Sequence, residues 1–190
     1  MVLMLLWLVP LIVFGLILIY GIAIYNRLIV YENRINNSWS QIDVQLKRRA
    51  DLIPNLIQTV KGYVKHEKGV LTEITRARSA LTKAQDIKSK ANAENMLEGA
   101  LKSLFAVTEN YPQLKANENF KMLQEELSGT ENKIAYARQF FNDTVLAFNN
   151  LVEKFPSNII ANMFNKKEKD MFKVAEQERK NVKVAFWFNA

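Results

Sequence analysis

Residues 120–155 read FKMLQEELSGTENKIAYARQFFNDTVLAFNNLVEKF, and this segment decides the fold. Large apolar side chains recur in it at a strict interval of seven residues, at Phe120, Leu127, Ile134, Phe141, Phe148 and Phe155. A second, smaller set lies between them, at Leu123, Thr130, Ala137, Thr144 and Leu151. The two sets fit heptad positions a and d, so the segment predicts a long helix that packs against partner helices with a left-handed supercoil. Pro156 should end this helix.

The first part of the chain beyond residue 34 predicts a second long helix with one buried face. Its apolar residues fall mostly three or four apart, at Ile35, Trp39, Ile42, Leu46, Ile53, Leu56, Val60 and Val64. Arg49 or Ala50 fills the one gap in this stripe. Pro54 removes one backbone hydrogen bond and should kink the helix without ending it, since the stripe continues past the proline.

Two shorter apolar stripes predict the helices that connect these segments. The first stripe contains Val70, Ile74, Ala77, Leu81 and Ala84, and the second contains Leu97, Leu101, Leu104 and Thr108. Positions 85–95 are mostly polar, so this region is either two helices joined there or one helix with a weak centre. Tyr111 precedes Pro112, which disfavours helical backbone, so a helix should end about there.

Residues 1–24, MVLMLLWLVPLIVFGLILIYGIAI, carry no ionisable side chain. As a helix they would reach roughly 36 Å, enough to cross a hydrocarbon core of about 30 Å. A cleaved signal peptide is the alternative, because Gly21 and Ala23 place small residues where a peptidase could cut. The length of the stretch and the lack of a preceding positive charge favour a retained anchor. Arg27 and Arg34 follow the span, so the positive-inside bias places the remaining chain in the cytoplasm.

Residue content argues against an enzyme. The chain has no cysteine, which excludes disulfides, thiolate zinc sites and a cysteine nucleophile. Its one histidine, His66, lacks the second histidine of an H-E-x-x-H zinc motif, and we expect it on a helix surface. The six glycines form neither a G-x-G-x-x-G motif nor a P-loop. We therefore predict no catalytic residues, no cofactor and no metal site, and an enzyme with an unrecognised carboxylate or amide site ranks last.

The positive charge of the chain indicates a different possible function. Lys and Arg number 26 against 19 Asp and Glu, and the resulting net charge of +7 lies entirely outside residues 1–24. A basic bundle surface could bind a polyanion, either nucleic acid or anionic lipid. The cations are dispersed, however, and the triplet at residues 47–49 has no aromatic platform beside it. We do not expect nucleic-acid binding, and a polyanion binder remains the alternative function.

One group of polar residues surrounds the predicted kink: Asp43, Arg48, Arg49, Asp51 and Asn55. Helical spacing places Asp51 three residues and Asn55 seven residues after Arg48, near the same face of the helix. We predict an ion-paired cluster that fixes the kink and the packing of a second helix. The alternative is a binding site for a partner.

Two long motifs resemble the LemA protein family. The first, at residues 25–67, reads YNRLIVYENRINNSWSQIDVQLKRRADLIPNLIQTVKGYVKHE, and the second is ENYPQLKANENFKMLQEELSGTENKIAYARQFFNDTVLAFNNLVEKFP at residues 109–156. The second contains the family-like NxNF, LQxEL, TEN and IAxAR elements. Residues 181–186 match the P-x-V-x-F ending of the family only loosely. The resemblance implies an N-terminal membrane helix followed by an up-and-down helical bundle. It implies no defined molecular activity.

The sequence therefore predicts an all-α protein with a transmembrane helix that continues into an antiparallel, up-and-down bundle of about four long helices. The predicted divisions are a signal-anchor at 1–24, a LemA-like bundle at 25–156 and a charged, amphipathic tail at 157–190. The tail could pack on the bundle, touch the membrane or extend. The preferred function is a non-enzymatic interaction or scaffolding module at the plasma membrane, with the bundle in the cytoplasm and a protein partner or a second copy as its ligand.

Overall fold

The computed structural model describes residues 2–64 and 67–172, with the side chains of residues 2–7 left out. His66 and the hydrophobic ending at residues 182–188 lie outside the described residues. The described part contains helices and no strand. In chain order the helices are α1 (Val2–Lys61), α2 (Lys68–Lys83), α3 (Ile87–Thr108), α4 (Pro112–Ala116), α5 (Glu118–Glu153) and α6 (Ser157–Met163). The predicted all-α bundle with an apolar N-terminal helix is confirmed, and α1, α2, α3 and α5 are its four long helices.

The chain divides into two compact units. The first comprises Met1–Gln45 and Gly129–Met171, and so contains the N-terminal part of α1, most of α5 and all of α6. Its core is formed by fully covered aliphatic and aromatic side chains, among them Leu28, Ile42, Ile134, Phe141, Val145 and Phe148. The Trp39 ring packs at a tilt on Phe141, with 5.8 Å between ring centroids. These contacts join α1 to α5 within this unit.

The second unit comprises Leu46–Ser128 and Phe172–Ala190, and it contains the end of α1, all of α2, α3 and α4, and the start of α5. Its core side chains come from each of these helices and include Ile53, Leu56, Ile74, Leu97, Leu101, Leu104, Leu114 and Phe120. Phe105 meets Phe120 edge to face at 6.3 Å between centroids. This unit is a small helical bundle in its own right.

Burial follows the two long apolar patterns closely. In α5 the first five a positions are covered, and the sixth, Phe155, is 79% exposed. The prediction for Phe155 is wrong because α5 ends at Glu153, ahead of Pro156, so position 155 no longer continues the helical face. In α1 both Arg49 and Ala50 are buried at the gap in the stripe. The structure thus places a charged side chain inside the core.

Side-chain caps mark two helix starts that the sequence left open. Asp86 accepts a hydrogen bond from the Ser89 backbone N–H at 2.8 Å, which starts α3 and settles the polar stretch as a junction between two helices. This bond also lowers the pKa of the Asp86 carboxyl from its ordinary value. Asn117 accepts from the Phe120 backbone N–H at 3.0 Å and so caps α5.

Candidate functional site

The proline inside α1 creates the first feature of the site. Pro54 has no N–H, so the carbonyl oxygen of Ala50, four residues earlier, loses its partner within the helix. The Nε of Arg78 donates to this oxygen at 2.8 Å. Because Arg78 lies on α2, the bond satisfies a buried acceptor and fastens α2 to α1 at the proline. As predicted, α1 continues through Pro54 rather than ending there.

A buried ion pair lies one residue before that carbonyl. The Nη1 of Arg49 donates to the Oε1 of Glu94 on α3, and the two side chains are only 2% and 1% exposed. Removing two charges from water is costly, and a charge-assisted bond between them offsets that cost only while both are present. Arg49 and Glu94 therefore join α1 to α3 through a contact that depends on both partners.

A second arginine of α1 makes a weaker contact. The Nη2 of Arg48 donates to Glu126 of α5 at 2.8 Å, but the two side chains are 51% and 47% exposed. Exposed pairs of this kind contribute at most about 1 kcal/mol, because solvent screens the charges and both side chains lose freedom. Of the cationic triplet at 47–49, two members thus have carboxylate partners and Lys47 is exposed. The triplet is not an open cationic patch.

The other residues of the predicted cluster are placed differently. Asp51 and Asn55 lie on the exposed side of α1, and the Asn55 carbonyl accepts a bond from the Thr59 hydroxyl at 2.9 Å. Asp43 is half-buried in the first unit, whereas the other four residues belong to the second. The structure brings Arg48 and Arg49 to carboxylates on other helices. Whether the cluster also serves a partner stays a prediction.

Sequence reasoning missed Arg78, Glu94 and Glu126. The need for a donor such as Arg78 could have been predicted. Pro54 leaves the Ala50 carbonyl without a helical partner, and a buried carbonyl must accept a hydrogen bond from another group. Glu94 occupies the polar stretch between two stripes, where nothing in local spacing marks it as buried. Its neighbour one turn on, Glu98, is also buried and accepts from Lys102 at 2.5 Å. Among the described residues, no group of three or more His, Cys, Asp or Glu is placed to hold a metal ion.

The first unit carries its own ion-paired group. Lys166 donates to the Oε2 of Glu32 at 2.6 Å, and the Nζ of Lys169 lies 3.6 Å from the Oε1. The hydrogen bond from Lys166 is the largest cause that lowers the pKa of the Glu32 carboxyl. Asn149 of α5 exchanges two hydrogen bonds with the backbone of Lys169, at 2.9 and 3.0 Å. These contacts hold the segment after α6 onto α1 and α5.

A groove with apolar walls lies between α1 and α5 in the first unit. It is lined by Ser40, Gln41, Val44 and Gln45 of α1 and by Lys133, Tyr136, Ala137 and Phe140 of α5. Val44, Tyr136 and Phe140 are all more than half exposed. The Oε1 of Gln45 is buried, and in the described part of the chain it accepts no hydrogen bond. Exposed apolar area rimmed by polar residues is typical of a protein-binding surface.

These features define a helical-bundle protein with an apolar N-terminal helix and a core fastened by charged side chains. The model of the LemA family matches residues 38–186. The chain is also similar to Protein LemA of Metamycoplasma hominis, with 28% identity over 162 residues that cover 83% of this chain and 72% of that protein. The chain belongs to the LemA family, as its two long motifs predicted.

Proposed function

We propose that this chain is a membrane-anchored, non-enzymatic interaction protein, held by α1 in the plasma membrane with its bundle on the cytoplasmic side. The observation that supports this most is the continuity of α1 from an uncovered apolar segment into the bundle. The most apolar window of this helix has a mean hydropathy of 2.5, and only 6% of it is buried. A core helix of a soluble protein would be mostly covered, so lipid is the surrounding that fits this segment.

The interaction surface we propose is the groove lined by Val44, Tyr136 and Phe140. Its partner is another protein held at the same membrane, since tethering raises the effective concentration of one protein near the other. Such a partner would cover the exposed aromatic side chains and could donate a hydrogen bond to Gln45. Aromatic residues in an apolar patch with a polar rim are the usual centres of binding energy.

Photo-cross-linking in intact cells tests this surface. A photoreactive phenylalanine analogue at Tyr136 should give one discrete cross-linked product, whereas the same analogue at Ala135 should not. Ala135 is exposed on α5 but does not line the groove, so it controls for random collision. A product that contains two copies of this chain would replace the heterologous partner with self-association. Equal cross-linking at both positions, or none at either, would contradict the docking role.

Sidedness is tested separately, because the chain has no cysteine of its own. A single Lys121→Cys substitution lies at an exposed position of α5. We expect a membrane-impermeant thiol reagent to label it only after the cells are permeabilised. Labelling in intact cells would place the bundle outside and contradict the cytoplasmic assignment.

A further inference from the structure

The short helix α6 lies against the apolar end of α1. Ile160 faces Gly21, where a Cβ would lie 3.6 Å from the Ile160 Cδ1. One turn further along α1, the rings of Tyr25 and Phe164 are 4.3 Å apart. On the same face of α1, Ile24 is buried. Helix α6 therefore sits beside the last residues of the segment proposed to span the membrane.

The exposure pattern of α6 is reversed relative to that of a helix on a water-soluble protein. The small residues Ser157 and Ala161 face the protein and are buried. The large apolar residues Ile159 and Met163 face outward and are 56% and 66% exposed. Phe155, just before the helix, is exposed as well. Two of the three large apolar side chains of α6 thus face away from the protein, and together with Phe155 they favour an apolar surrounding on that side.

The position of α6 along α1 identifies that surrounding. Gly21 precedes Arg27, the first charged residue, by six positions. At 1.5 Å per residue the contact with Ile160 lies about 9 Å into the uncharged segment. Interfacial helices bury their apolar faces roughly 5–10 Å into the boundary between headgroups and acyl chains. With Arg27 at the headgroups, the contact between α6 and Gly21 therefore lies at the depth of that boundary.

Cationic side chains flank the apolar residues as an interfacial element requires. Lys154 precedes Phe155, and Lys167 follows α6, and both are exposed. Long lysine side chains can place their ammonium groups at the phosphate level while their apolar stems remain among the lipids. Lys166 is held by Glu32 and fixes the segment that leaves α6. Exposed lysines thus stand on both sides of the exposed apolar residues in the sequence.

We propose that Phe155 and helix α6 form a second membrane-contacting element, which inserts Phe155, Ile159 and Met163 into the interface of the same bilayer that α1 spans. This inference rests on the proposed anchoring by α1. The element attaches the first unit to the membrane surface at a second point, which restricts rotation of that unit about the axis of α1. The ligand is the lipid bilayer, through its acyl boundary and its phosphate groups.

The test uses the full chain in vesicles of phosphatidylcholine and phosphatidylglycerol, with an environment-sensitive fluorophore on single cysteines. Ile159→Cys and Met163→Cys report on α6, Leu16→Cys is the reference within the span, and Lys121→Cys is the reference in water. Residues 16, 121, 159 and 163 are all exposed, so the substitutions leave the core intact. We expect blue-shifted emission at 159 and 163, with loss of intensity when nitroxide-labelled lipids are included, as at 16.

The outcomes separate this inference from the anchor on which it rests. Emission at 159 and 163 that matches 121, with a lipid-like signal at 16, would overturn the insertion of α6 and leave the anchor standing. Blue-shifted emission that nitroxide lipids do not quench would also overturn it, since the surrounding would then be protein. A water-like signal at 16 would refute the anchor and the inference together.

Discussion

Replacing the buried Arg49 should destabilise the bundle far more than replacing its exposed neighbour Arg48. An Arg49→Met substitution keeps an unbranched side chain of similar length in the apolar stripe but leaves the Glu94 carboxylate buried without that cation. Loss of one partner from a buried ion pair costs about 3–5 kcal/mol, because the remaining buried charge loses that counter-charge. Against a total stability of about 5–15 kcal/mol for a domain, this loss amounts to roughly a fifth or more.

Urea titration of the full chain in detergent, followed by helical circular dichroism, measures this loss. Arg48→Met is the matched control, because its ion pair with Glu126 is half exposed and should contribute at most about 1 kcal/mol. A second variant, Arg49→Met with Glu94→Leu, removes both charges and should regain most of the stability. Replacing a whole buried pair by apolar side chains is often neutral or stabilising.

The double variant decides between two explanations of the loss. If Arg49 matters through the buried charge, the pair of substitutions is less destabilising than Arg49→Met alone. The reasoning would be refuted if Arg49→Met cost no more than Arg48→Met, or if the double variant were as unstable as the sum of the two single ones.

Three further changes test the local account. Arg78→Met removes the donor to the Ala50 carbonyl and should lower the free energy of unfolding in urea by about 1–3 kcal/mol. The loss should be much smaller in a Pro54→Ala background, because the restored N–H of residue 54 then donates to that oxygen. Equal losses in both backgrounds would contradict this. Asn117→Ala removes the cap of α5 and should cost about 1 kcal/mol in thermal unfolding, whereas the exposed Asn119→Ala should cost little. Folding lowers the pKa of Glu32 below its ordinary value of 4.5, so the ionised carboxylate stabilises the first unit. This stabilisation is complete at pH values above 4.5, and it is lost as the pH falls through the lower pKa of the folded state. The stability difference between the native chain and Glu32→Gln should therefore shrink in acid, and a difference that grows would show the opposite sign.

Periodic burial could be predicted from the sequence because it depends only on local spacing. The five heptad a residues from Phe120 to Phe148 are covered as predicted, and so is the stripe from Ile35 to Val64 except for Trp39, which is half-buried. The gap was predicted to be filled by Arg49 or Ala50, because the helical phase puts one of these positions inward, and both are buried. The failure at Phe155 has a local cause too: a seven-residue interval continues in the sequence after the helix has already ended.

Contacts between distant helices could not be predicted in the same way. The glutamates that meet Arg48 and Arg49 lie 78 and 45 residues further along the chain, and no spacing rule relates them. Helix α6 was not predicted within the tail, because it has only seven residues and two of its large residues, Ile159 and Met163, face outward and produce no buried stripe. Asn165, with a φ of 52°, follows its end in a left-handed conformation that asparagine tolerates. The position of α6 could be recognised only from the exposure of its side chains in the structure, because the sequence there has no apolar period.

The central claim is that residues 1–24 remain attached and anchor the chain in the membrane. Alkaline extraction of membranes, followed by intact mass analysis of the retained chain, measures this most directly. We predict that the protein stays in the membrane pellet with a mass that includes the entire uncharged N-terminal segment. A chain released into the supernatant, with its first residue near Ile24, would contradict the anchored account even with every bundle helix in place.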